Sequence, residues 1–70
     1  MDNKRLINMK AVEEIWLKKE VYGGYSIEIH MMSGGVISIP GSEAEAIQIV
    51  YDRLKENLEL GSIVELVGYA

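Results

Sequence analysis

The sequence has no cysteine and no phenylalanine, and only one proline, one histidine and one tryptophan among its 70 residues. Without cysteine, no disulfide can staple so short a chain. With a single histidine and no thiol, neither a zinc site nor any other metal or cofactor site is expected. No apolar run approaches the roughly 18 residues that a membrane-spanning helix needs, so no membrane association is expected. Met1-Asp2-Asn3-Lys4-Arg5 is followed by no apolar h-region. No secretory signal is therefore expected, and the expected location is cytoplasmic. Basic residues are also few, with seven Lys and Arg against eleven Asp and Glu, a net charge of −4. Direct nucleic-acid binding needs clustered Lys and Arg, so it is not expected either.

What is present is a core. Hydrophobic residues make up 49% of the chain, too many for intrinsic disorder. A chain of this length buries only about 60% of its surface by itself, which leaves a single domain marginal. A very regular fold, self-association, or both are needed, and a homo-oligomer, first of all a dimer, is expected. Charge is uneven along the chain. The last thirty residues carry Glu43, Glu45, Asp52, Glu56, Glu59 and Glu65 against Arg53 and Lys55. This pattern reads first as a solvated helix face, although an acidic half could also meet a basic partner.

Period-two alternation marks strands. Tyr25, Ile27, Ile29 and Met31 share one face of a segment, and Ser26, Glu28, His30 and Met32 share the other. Ile37 and Ile39 alternate with Val36, Ser38 and Pro40. Val12 to Val21 alternates less cleanly. Leu6, Met9, Val12, Ile15 and Trp16 also fit a helix, but the turn and strand that follow favour a strand. Three-residue loops ending in glycine, Tyr22-Gly23-Gly24 and Ser33-Gly34-Gly35, would join these strands, with Gly24 and Gly35 left-handed. Leu17 would then face Ile29, Ile15 and Ile37 would both face Met31, and Ile39 would face Ile29.

A helix should follow. Ser42 and Glu45 have the spacing of a capping box. Ile47, Val50, Tyr51, Leu54 and Leu58 form an apolar stripe, and Gly61 suits a C-terminal stop. Ser62 to Val67 reads as a last short strand. The expected architecture is α+β: an antiparallel three-stranded meander, one helix packed on one sheet face, and a fourth short C-terminal strand, in the order βββαβ. Residues 1–10 form a polar N-terminal segment, mobile or prolonging the first strand, and residues 11–70 form a single domain.

Catalytic patterns are weak. His30 is the only side chain with an ordinary pKa near neutrality. In this register it shares a row with Trp16 and Ser38, but no strained nucleophile turn and no assured third group accompany it. Glu13 and Glu14 would point to opposite faces of a strand, while Glu43 and Glu45 suit a helix start. The Gly-Gly turns lack the Gly-x-x-x-x-Gly-Lys-Ser/Thr pattern of a phosphate loop. The face opposite the helix is more informative. Val12, Trp16, His30, Met32 and Val36 form a partly apolar group there, beside an expected Lys18–Glu28 ion pair. Exposed clusters of this kind mark interaction sites, and Trp and Met are enriched in them. Residues 1–10 or the last strand could instead cover that face. The leading expectation is a small non-enzymatic protein that self-associates and binds or inhibits a macromolecular partner, in the manner of accessory proteins. The alternative is an oligomer that binds or sequesters a small-molecule ligand in a pocket between subunits near Trp16 and His30.

Overall fold

The computed structural model describes residues 4–67. Their order is β1 (Lys4–Asn8), a 3-10 turn (Met9–Ala11), β2 (Val12–Lys19), β3 (Tyr25–Met31), β4 (Val36–Gly41), α1 (Ala44–Leu60) and β5 (Ile63–Val67). β2, β3 and β4 form the antiparallel meander, in that order. β5 does not extend that sheet. It pairs antiparallel with β1 in a separate two-stranded sheet, with Ile7 opposite Val64. The N-terminal segment, expected to be polar and either mobile or a prolongation of the first strand, supplies a separate strand from Lys4 onward and buries Ile7 and Met9.

A single core holds these parts together. Ile27, Ile29 and Ile39 from the meander meet Ile47 and Leu54 of α1, Ile7 and Met9 from the N-terminal segment, and Val64 and Leu66 of β5. Burying each such side chain is worth roughly 1.5–3 kcal/mol. Val50, Tyr51 and Leu58 complete the helix stripe against this core. The helix and the small sheet therefore both lie on the isoleucine face of the meander.

Both hairpins have three-residue loops, but each starts one residue earlier than expected. Glu20 donates its N–H to the Gly24 carbonyl at 3.0 Å, and Met31 donates to the Gly35 carbonyl at 2.8 Å. The loops are thus Val21-Tyr22-Gly23 and Met32-Ser33-Gly34. Each closes a turn on its first glycine, through Gly23 N–H to Glu20 and Gly34 N–H to Met31. Gly23 and Gly34 have φ of 95° and 98°, the left-handed bulge position of this hairpin type. Gly24 is also left-handed, as expected, whereas Gly35, the residue before β4, is not. The partners move accordingly. Leu17 faces Ile27, Ile15 and Ile37 face Ile29, and Ile39 faces Ile27. Because side chains repeat every two residues, this slip of two in pairing keeps every residue on its expected face.

Val12 is the exception. Between Val12 and Glu14 the pairing is irregular, with Val12 opposite Met31 and Glu14 opposite His30. Glu13 is the extra residue of a β-bulge, and the bulge reverses the alternation before it. Val12 consequently enters the core at 3% exposure instead of joining Trp16 on the far face.

The helix start also departs from expectation. Glu43, not Ser42, occupies the N-cap position, and no side chain caps the helix there. The Glu43 carbonyl accepts the first helical bond from Ile47 at 3.1 Å. At the other end Gly61 is left-handed with φ 67°; its N–H donates to Leu58 and the Ser62 N–H donates to Asn57. That pair of bonds is a Schellman motif, and it turns the chain directly into β5.

Candidate binding face

The meander face turned away from the core carries Trp16 and Lys18 from β2, Glu28 and His30 from β3, and Val36 and Ser38 from β4. Trp16 lies opposite Glu28, which lies opposite Ser38; His30 sits between Glu14 and Val36. The indole reaches diagonally to His30, with ring centroids 4.4 Å apart and planes inclined by 32°. Such a pair is worth roughly 0.5–1.5 kcal/mol beyond the area it buries. Trp16 and His30 thus come together although they are not direct cross-strand partners.

Glu28 is the hub of this face. One carboxylate oxygen accepts from Lys18 Nζ at 3.1 Å, and the other lies 3.1 Å from His30 Nε2. The Lys18 hydrogen bond, and then that of His30, hold the Glu28 carboxyl below its ordinary pKa. The Lys18–Glu28 pair was expected as a direct cross-strand contact; it forms diagonally, since Lys18 sits opposite Ser26. The Glu28–His30 contact was not anticipated. Its signal was the spacing of two along one strand, which places both side chains on the same face. Beside this cluster the buried Ser26 hydroxyl donates to Glu20.

The apolar part of the face is open. Trp16 is 45% exposed, Met32 65% and Val36 54%. β1 and β5, the segments that could have covered them, instead bury Ile7, Val64 and Leu66 in the core on the other side and leave Leu6 and Ile63 exposed. Of the five residues expected on this surface, Trp16, His30, Met32 and Val36 lie on or beside it, and Val12 does not. Ser38 faces Glu28 rather than His30, so the Ser–His row does not form. Among the described residues no three His, Asp or Glu side chains gather where they could hold a metal ion. No described helix is long and apolar enough to cross a membrane.

Comparison of the chain with protein-family models, curated proteins and solved structures finds no match.

A second exposed apolar feature escaped the sequence reading. Val21 and Tyr22, at the tip of the β2–β3 hairpin, are essentially fully exposed. The available signal was their position, since the centre of a turn normally carries Pro, Asp, Asn, Ser or Gly.

Proposed function

We propose that this is a small non-enzymatic binding protein that self-associates and uses the open meander face to bind, block or scaffold a protein partner. The carrying observation is the exposure of Trp16 and Val36 on the one sheet face that neither the helix nor the small sheet covers, with Met32 exposed in the adjoining β3–β4 loop. Exposed Trp16 on β2 and Val36 on β4 flank the Lys18–Glu28–His30 group, and an exposed sheet face that combines apolar side chains with charge suits a docking surface. The alternative, a small ligand held near Trp16 and His30, has less support. The two rings already stack on each other, and Glu28 already engages the imidazole.

The test pairs native mass spectrometry of protein purified from its own cells with affinity capture. The expected result is an oligomer mass with no small-molecule adduct, and one co-purifying protein. Met32→Glu/Val36→Glu should lose that protein while keeping its fold by circular dichroism. A retained small molecule that Trp16→Ala releases would overturn this reading in favour of the ligand-binding one.

A further inference from the structure

Self-association needs a surface, and β2 offers one that is distinct from the open face. β2 is an outer strand of the meander; among the described residues no strand pairs with its second side. The Glu20–Gly24 hydrogen bond sets the phase of its backbone. Since antiparallel bonding alternates, Glu14, Trp16 and Lys18 direct N–H and C=O toward β3, while Ile15, Leu17 and Lys19 direct theirs outward. The outward groups have no backbone partner among the described residues.

The strand's sequence is Glu13-Glu14-Ile15-Trp16-Leu17-Lys18-Lys19. Read against itself in reverse and centred on Trp16, every position meets its complement. Glu14 meets Lys18, Ile15 meets Leu17 and Trp16 meets Trp16, while Glu13, in the bulge at the end of the regular stretch, comes next to Lys19. The phase also agrees. Ile15 and Leu17, the residues with outward N–H and C=O, become the hydrogen-bonded pairs, and the two tryptophans form the close non-hydrogen-bonded pair, about 4.5 Å between Cα atoms. Neighbouring registers fail. Centring on Ile15 sets Glu14 against Trp16, and centring on Leu17 sets Glu14 against Glu20. Slips by one residue put side chains on the wrong face.

The other edge of the meander is different. Pro40 lies opposite Ser26, in the phase where β4 points its N–H outward, and proline has no N–H to offer. The β4 edge is therefore blunted, while the β2 edge is open and self-complementary.

We propose that a second copy of this chain pairs along β2, antiparallel about a two-fold axis at Trp16, giving one continuous six-stranded sheet. This rests on the self-association half of the proposed function and names its partner and register. The open faces of both copies then lie side by side, with the paired tryptophans at their junction.

Sedimentation at low ionic strength tests it. Wild type should be a dimer. Glu13→Lys/Glu14→Lys alters exposed side chains and opposes like charges across the axis. Its dimer dissociation constant should rise at least about tenfold, with its circular dichroism unchanged. Lys18→Gln/Lys19→Glu should be weakened likewise. An equimolar mixture of the two variants should form a mixed dimer, because opposite charges again face each other at three of the four positions and, at the other, the Glu14→Lys side chain meets the neutral side chain of Lys18→Gln. Met32→Glu/Val36→Glu should remain dimeric. If charge reversal leaves the dimer intact and Met32→Glu/Val36→Glu dissociates it, edge pairing is overturned and self-association through the face stands. A wild type that is monomeric at every concentration overturns both.

Discussion

Two positions differ by one place in sequence and by the sign of a torsion angle. Gly34 has φ of 98°, whereas Gly35 lies outside the left-handed region, and Ser33 Oγ, at 3.9 Å, is the nearest atom to a Cβ placed there. Gly34→Val should therefore destabilise by at least about 1 kcal/mol, since a β-branched residue is strained in the left-handed region. Gly35→Ala should stay within about 0.5 kcal/mol. Urea titrations of the two variants would show this, and the reverse order would restore the loop that ends on Gly35. Glu28 provides a pH signature. Lys18 and His30 depress its folded pKa, so its contribution is fully present above the ordinary carboxylate range. It is lost as pH falls through the lowered folded value. Between neutral pH and that value, stability should fall less steeply in Glu28→Gln than in wild type, as followed by urea midpoints at successive pH values.

Among the elements, the helix and the two hairpins carry most of what the sequence reveals. The helix stripe is legible because Ile47, Leu54 and Leu58 recur at helical spacing, and Ile47 and Leu54 are buried as that spacing requires. Leu54→Ala should cost about 2–5 kcal/mol by opening a cavity in the core. Ser42→Ala, in contrast, should cost less than about 0.5 kcal/mol, because no side-chain cap is lost. Thermal melts would show both, and a Ser42→Ala cost of about 1 kcal/mol would contradict the uncapped start. The faces of β3 and β4 are legible because alternation fixes them whatever the loop position. Exact partners are not, since a shift of two residues in pairing preserves every face. The bulge at Glu13 leaves no mark in composition, which is why Val12 falls on the wrong side of the sequence reading. β1 is hidden by its brevity. Lys4–Asn8 carries only Leu6 and Ile7 as apolar residues, and it becomes a strand because β5 pairs with it. The candidate face was readable through Trp16, His30, Met32 and Val36. The central role of Glu28 was not, because hydrogen bonds from two strands converge on it only after folding.

On the scale of the whole molecule, the two faces of the meander are covered unequally. The helix, β1 and β5 all close one side of the meander, and the chain has no further described element for the other. A domain this small gains much from a second copy, since binding to the folded state alone raises apparent stability in proportion to the logarithm of concentration. The two edges of the meander suit this, with Pro40 on β4 opposing further growth and the Glu-Glu-Ile-Trp-Leu-Lys-Lys run on β2 matching itself. The most direct measurement is residue-resolved amide hydrogen exchange at several protein concentrations. In an isolated chain the Trp16 and Lys18 amides are protected by β3 while those of Ile15 and Leu17 face solvent. Pairing along β2 predicts that Ile15 and Leu17 become protected as concentration rises, approaching Trp16 and Lys18. Fast exchange at Ile15 and Leu17 at every concentration, with Trp16 and Lys18 protected throughout, would contradict it.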